Sequence, residues 1–349
     1  MNDDDNVIIR STKCSVKFAN KNKQNDIVVF INEYFRVCKL FVDILWEMEK
    51  VPSLAPKEIT DQVDSWLYAR AVQCAAKQAS GIVRGTKQKQ KRRLYQYEKM
   101  LTDGWTRKAK KLKRTIENNS YSKPNLKKVD PELDSRFIKM DFDNQTSFDG
   151  WINLGLFDRS WTKIPVKKTK HFNKLLENGR LKSGIRLNKK SLTFMFAMET
   201  KDNKSEKTVG LDVGITNLFT LSDGNASQDN KDGWNLTKIG ARLARRKKDS
   251  VGFRKAQELR TNYVGWSLNQ INFNELKAIK CEKIKNLRKG CWTNRKMSHW
   301  TYQEIFDKLE NKCESNNVCL IKVMPAYTSQ RCSRCGWVRK NNRKGKLFE

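Results

Sequence analysis

Histidine is almost absent from this chain of 349 residues: His171 and His299 are the only two. Catalysis by a histidine base, or a histidine-rich metal site, has little to draw on. Long apolar runs are missing too. No stretch approaches the ~18 uncharged apolar residues of a membrane span, so no membrane partner is expected. The opening MNDDDNVIIR is acidic and lacks the basic start and apolar run of a secretory signal. Acidic residues are themselves in deficit, 38 Asp plus Glu against 71 Lys plus Arg, for a net charge of +33. Such an excess costs the compact state through self-repulsion, and a polyanionic partner offsets it. Small acidic substrates do not require so much charge, whereas a long nucleic acid does.

What is present argues for a folded protein. Hydrophobic residues make up 38% and aromatics 10%, including 10 Trp and 16 Phe, which need a core. The length suits two or three domains. The nine cysteines are odd in number and irregularly spaced, which speaks against a disulfide framework. Most read as small buried apolar residues. Only Cys332-Ser333-Arg334-Cys335-Gly336 has metal-ligand spacing. Two thiolates of a CxxC turn can chelate one zinc ion while the glycine permits the turn. A redox pair is the alternative, and it would want a thioredoxin-like βαβ context that is not visible.

Residues 7–18 alternate as a strand. Val29, Phe30, Phe35, Val37, Phe41, Ile44, Leu45 and Met48 follow helical spacing, and Pro52 and Pro56 then break the chain. A second helix is predicted over 61–83, framed at its end by Gly81 and Gly85. Residues 84–114 hold thirteen Lys/Arg against Glu98 and Asp103, interrupted by Tyr95, Tyr97 and Trp105. A solvated helical hairpin would account for this run. Its density points instead to phosphate contact, with rings for base stacking. The candidate contacts there are Lys87, Lys89, Lys91, Arg92, Arg93, Arg107, Lys108, Lys110, Lys111, Lys113 and Arg114. From Phe137 to Glu199 strand-like segments alternate with turns at Asn144, Gly155, Gly179 and Gly184, as in a small β-barrel joined by the N-terminal strand. Residues 163–190 are again basic, with Lys167 and Lys168 as candidate contacts. So is 238–255, with Arg245 and Arg246. Trp292, His299, Trp300 and Tyr302 could pack or stack.

Two carboxylates stand out. In Val209-Gly210-Leu211-Asp212-Val213-Gly214 an apolar strand ends on Asp212 before a glycine-assisted bend, where a rigid element could hold a metal-binding carboxylate. A plain turn has the same pattern. In Ile271-Asn272-Phe273-Asn274-Glu275-Leu276 the alternation puts Glu275 on the apolar face of a strand; alternatively the strand ends at Phe273 and Glu275 is exposed. Two inward carboxylates on neighbouring strands would suit a two-metal phosphodiesterase.

The order GLDVGITNL, a basic helical segment, NELKAI, MSHWTYQEIFDKLE and VMPAYTSQRCSRCG resembles the TnpB (OrfB) transposon-encoded proteins, compact relatives of type V CRISPR effectors. The resemblance is most specific from Thr208 to Phe348 and sharpest in YTSQRCSRCG. It implies an α+β multidomain fold: a wedge β-barrel, an inserted helical recognition domain, then a RuvC-like α/β domain of ribonuclease H type with an incomplete zinc ribbon. The expected boundaries are 1–25 for the first barrel strand, 26–120 for the recognition domain, 121–204 for the rest of the barrel and 205–349 for the nuclease domain, with a zinc half-site in 325–349. It implies Asp212 and Glu275 as catalytic ligands of two Mg2+ ions, and Cys332 and Cys335 as half of a Zn2+ site. The implied partners are a guide RNA and a double-stranded DNA target, in the cytoplasm at the nucleoid.

Family members continue past the position of Phe348 into a second CxxC and a further aspartate. This chain is therefore expected to be truncated there, or to belong to a form that binds without cutting. The favoured reading is an RNA-guided DNA endonuclease, in which base pairing reads sequence and protein reads backbone shape. The alternatives are an RNA-guided repressor that does not cleave, and a DNA-strand transferase, which would want a third acid.

Overall fold

The computed structural model describes residues 7–119, 122–142, 146–156, 160–200, 203–284, 299–327, 330–332, 334–339, 342–344 and 347–348. Asn144, Cys291 and Trp292 lie outside the described residues. The chain divides into two compact units, Ile9–Met198 and Glu199–Glu349, the latter with Met1–Ile8.

In the first unit, β1 (Val7–Ser15) leads to α1 (Lys21–Glu47), whose start is capped by the Asn20 side chain accepting the Lys23 N–H at 3.0 Å. The buried stripe Ile27, Phe30, Tyr34, Cys38, Phe41 and Leu45 has helical spacing and packs along α3 (Ala69–Thr102), after the single turn of α2 (Lys57–Thr60). On α3 the packed face is mostly alanine (Ala71, Ala75, Ala76, Ala79), which lets the two backbones approach closely. The helix predicted over 61–83 instead begins at Ala69 and continues through both glycines to Thr102. A helix-interior glycine costs only ~1 kcal/mol relative to alanine, too little to stop a helix whose neighbours all favour continuing. The last buried residue of α3 is Val83. Beyond it the helix leaves the core, turns at Gly104 (φ 71°) and returns as α4 (Thr106–Asn119).

Two sheets complete this unit. One has the order β1–β7–β6–β2, with β2 (Glu132–Leu133), β6 (Gly179–Asn188) and β7 (Ser191–Glu199). The other is the antiparallel β3 (Lys139–Asp141), β4 (Gly150–Gly155) and β5 (Trp161–Val166). Gly184, expected in a turn, sits inside β6, where the register shifts between Leu181 and Ile185. A helix that the strand pattern hides, α5 (Lys170–Asn178), is capped by Thr169, whose Oγ1 accepts the Phe172 N–H at 3.1 Å. Phe172 packs edge-on against Phe194 and Phe196, at 5.2 Å from each. Phe30, Tyr34 and Phe41 of α1 belong to the same core as these rings. Helical and β-rich stretches thus share one interior.

In the second unit, β8 (Thr208–Asp212), β10 (Ala278–Glu282) and β11 (Cys319–Val323) are parallel, and β9 (Thr220–Leu221) is antiparallel at the edge, in the order β11–β10–β8–β9. Val209, Leu211, Ile279 and Cys281 turn one face towards α6 (Leu236–Ala244), α7 (Val251–Leu268) and α8 (Tyr302–Ser315). The segment read as an alternating strand, 271–276, is a single 3-10 turn over Phe273–Glu275. Phe273 and Leu276 are both buried three residues apart, the spacing of that turn rather than of a strand. The strand begins only at Ala278.

Candidate active site and nucleic-acid-binding surfaces

Asp212 closes β8, and the chain then bends at Gly214, where a Cβ would fall 2.6 Å from the Asn217 carbonyl oxygen. Only glycine fits there. Asp212 is exposed at the strand end, and among the described residues its carboxylate makes no ion pair.

Glu275 is not beside it. Ala278 of β10 lies opposite Thr208 of β8, so Glu275 precedes the bottom of the sheet while Asp212 stands at the top. Thr208 to Asp212 alone spans ~13 Å at ~3.3 Å per residue, which excludes a shared pair of ions ~4 Å apart. At its own end Glu275 is exposed and accepts a hydrogen bond from Asn272 Nδ2 at 2.7 Å. It lines a cavity of about 420 Å³ with Lys207 and Asp223. Those two form an ion pair at 2.9 Å, and the Lys207 ammonium holds the Asp223 carboxyl below its usual range. The pairing of Asp212 with Glu275 expected from the sequence is therefore corrected: a buried Phe–Leu turn consumes the segment that was to carry Glu275 onto the strand.

The carboxylate that does reach Asp212's end is Glu282. Cys281 lies opposite Leu211 in the parallel register, so the next residues, Glu282 and Asp212, end the two neighbouring strands side by side. Residues in register share a face. Cys281 and Leu211 are buried, and by strand alternation the exposed Asp212 and the half-buried Glu282 belong to the opposite face. Sequence reasoning missed Glu282 although the signal was there. Ala-Ile-Lys-Cys-Glu repeats the logic of Thr-Val-Gly-Leu-Asp, a short strand ending on an acid.

The CxxC segment forms a tight hairpin. Arg331 bridges Val338, the Cys332 N–H donates to the Trp337 carbonyl at 2.8 Å, and the Gly336 N–H donates to the Cys332 carbonyl at 3.0 Å, with Gly336 at φ 74°. The Cys335 and Arg334 backbone N–H groups, then the Cys335 thiol, hold the Cys332 thiol below its ordinary value. Burial does the reverse to Cys38 and Cys313, pushed up to about 12. Cys332 is thus the thiol most disposed to bind a metal, with Cys335 beside it on the same hairpin. Among the described residues no group of three or more His, Cys, Asp or Glu is gathered. Beyond the hairpin, β12 (Arg343–Lys344) pairs antiparallel with β13 (Leu347–Phe348).

The basic candidates fall into three places. On the outer part of α3 and on α4, Lys89, Lys91, Arg92, Arg107, Lys108, Lys110, Lys111, Lys113 and Arg114 are exposed, and Arg93 is half-buried. Trp105 is exposed among them, with Lys108 Nζ 3.3 Å from its ring centroid. Lys87 is engaged internally instead: its ammonium donates to the Met48 carbonyl and lies over Trp46. Lys167 pairs with Asp149 at 3.5 Å, and Lys168 Nζ lies 5.1 Å from the Phe142 ring centroid. Arg245 and Arg246 are exposed where α6 gives way to α7.

Among the described residues no helix is long and apolar enough to cross a membrane. Residues 302–349 match the family "Cas12f1-like, TNB domain". Over 54 residues, 15% of this chain and 11% of the relative, the chain is 37% identical to the CRISPR-associated endodeoxyribonuclease Cas12f1 of Syntrophomonas palmitatica. Over 71 residues, 20% of this chain and 16% of the relative, it is 38% identical to the Cas12f1 of Sulfoacidibacillus thermotolerans. A longer match, 27% over 179 residues and 42% of this chain, is to InsQ of Escherichia coli K12, named as a candidate RNA-guided DNA endonuclease. The matches span 11% to 44% of these relatives' lengths. Among solved structures, the Cas12f1–sgRNA–target DNA complex aligns over 96% of this chain and 93% of that one, at 14% identity and a TM-score of 0.49. By motif and by match, the chain is similar to the TnpB-like proteins.

Proposed function

We propose that the chain acts in RNA-guided cleavage of DNA, with Asp212 and Glu282 as the carboxylates of a RuvC-like site of ribonuclease H type. The observation that carries this reading is their juxtaposition at the ends of neighbouring parallel strands, on one face. Two carboxylates supply hard oxygen donors, and the exposure of Asp212 leaves room for the waters that Mg2+ keeps. They fit that ion, and Asp212 and Glu282 would hold it. When bound, a pair of such ions activates water and stabilises the leaving oxygen of an in-line displacement. The protein's own contribution is to fix both side chains on rigid strands and to present their oxygens together towards a phosphodiester. Cys332 and Cys335 fit as two of the four donors of a structural zinc site, since both lie on one tight hairpin whose backbone N–H groups favour the Cys332 thiolate.

In this reading the α3–α4 arm and the basic residues near 167–168 and 245–246 bind the guide RNA and the backbone of the heteroduplex. The first unit serves as wedge and recognition domain, with boundaries near 25, 120 and 204, and the second as nuclease domain. A transposon context and work at the nucleoid follow from the likeness to TnpB-like proteins. The test is cleavage of a guide-matched plasmid with Mg2+ by the protein carrying its RNA. Loss in Asp212→Ala and Glu282→Ala, with retention in Glu275→Gln, supports the assignment. Cleavage that survives both of the first two overturns it. Guided binding without cleavage in the unaltered chain would favour the repressor-like alternative.

A further inference from the structure

The cysteine hairpin is short of donors. Cys332 and Cys335 bring two thiols to one turn, whereas a structural zinc site takes four ligands, with sulfur at ~2.3 Å. Among the described residues no group of three or more His, Cys, Asp or Glu is gathered, there or elsewhere. Most other thiols are held away: Cys14, Cys38, Cys74, Cys281 and Cys313 are buried in the two cores. Cys319 is fixed in β11, opposite Ala278. Cys335 is exposed and Cys332 half-buried, so both can be reached from outside the chain.

The hairpin is set before any metal arrives. Asn342 Nδ2 donates to the Gln330 and Trp337 carbonyls at 2.9 and 3.1 Å, and the Arg339 N–H donates to the Gln330 carbonyl at 3.2 Å. Its surroundings are apolar yet uncovered: Trp337 is 69% and Tyr327 63% exposed. The bond from the Cys332 N–H to the Trp337 carbonyl holds the Trp337 backbone close to the thiols. Charge supplies the other half of the argument. No acid occurs between Met324 and Phe348, and Arg331, Arg334 and Arg339 are exposed. Two bare hairpins would repel. Four thiolates around one Zn2+ sum to a charge of −2, which reverses the sign at the point of contact; the four thiol protons go to solvent. A two-fold axis through the ion lets the same two cysteines serve from each side. A few side chains bury far less than the ~800 Å² per partner of a stable interface, so the metal has to carry the association.

We infer that one zinc ion joins two copies of this chain, each contributing Cys332 and Cys335, with Trp337 of each copy at the contact. The inference rests on the zinc reading of the hairpin and not on the endonuclease reading. The experiment is light scattering on a sizing column with metal analysis of the full chain, at ~0.3 M salt to screen its net charge, with zinc sulfate or with a chelator. A dimer holding one zinc per two chains is expected with zinc, and a monomer with chelator at an unchanged far-UV spectrum. Cobalt in place of zinc should show the strong visible absorption of a tetrahedral four-thiolate site. Cys335→Ser should abolish the dimer, and the chelator reads the same property without any substitution. Cys291→Ser and Cys319→Ser should leave it intact. Trp337→Ser, which keeps all four thiols, should weaken it about tenfold. A dimer that survives the chelator or Cys335→Ser, or one that Cys291→Ser abolishes, would overturn the inference. The two failures are distinguishable. One tightly held zinc per monomer defeats the shared site and leaves the zinc reading standing, whereas no zinc uptake at all defeats both.

Discussion

The two ends of the parallel sheet carry acids of opposite fate. At the Thr208–Ala278 end, Asp223 is neutralised by Lys207 at 2.9 Å and Glu275 is held by Asn272, so local charge is satisfied by the chain itself. At the other end Asp212 and Glu282 stand side by side on one face, and Asp212 makes no ion pair among the described residues. The exposed acid at a strand end, with a second acid ending the neighbouring strand, is thus the better guide to function than an acid whose ion pair the chain completes itself.

The comparison breaks most sharply under substitution. Asp212→Ala and Glu282→Ala should each lower guided plasmid cleavage by about 1000-fold, the scale on which losing one transition-state stabiliser acts; Glu275→Gln should change it less than threefold. The reverse pattern in the same assay would move the site to the opposite end. Ile279→Ala, in the buried face beneath both ends, should cost about 2–5 kcal/mol in a denaturant titration, while its effect on each end's chemistry stays indirect. Alkylation at neutral pH, followed by peptide mass mapping, should label Cys332 well before the buried Cys313, whose thiol is pushed up to about 12. Bound zinc should protect Cys332 and leave Cys313 unchanged. The smallest effect belongs to the neutralised end. Lys207→Met should raise the Asp223 carboxyl towards its usual value in an NMR titration and leave cleavage untouched. Because the Asp223 value is lowered in the fold, the pair's contribution is present above the ordinary carboxylate range and is lost as pH falls through the lowered value.

Much of this was legible in the sequence where one period dominated. The stripe from Ile27 to Leu45 and the strand ending at Asp212 were readable because burial on one face repeats regularly. The segment 271–276 was not, because apolar residues at 271, 273 and 276 satisfy a strand for its first three positions and a 3-10 turn for its last four. A strand over 271–276 hides Glu282, because its pattern leaves 278–282 as the continuation of the same element rather than as a separate strand ending on an acid. The end of α3 was misjudged for another reason. Glycine was read as a stop, yet the cost of Gly81 and Gly85 is small beside the continuing backbone ladder. Helix α5 was hidden because nine residues between two strands offer only Phe172 and Leu175 to the core.

The course of α3 past its glycines has a mechanical corollary. From Val83 to Thr102 the helix projects ~28 Å at 1.5 Å per residue, while its first half is clamped against α1. A beam fixed at one end delivers its bending moment to the clamp. Load applied near Trp105 by a bound polyanion would therefore be felt most at Ala79 and Val83, where the alanine face meets α1, and Gly81 and Gly85 stand at the root of the lever.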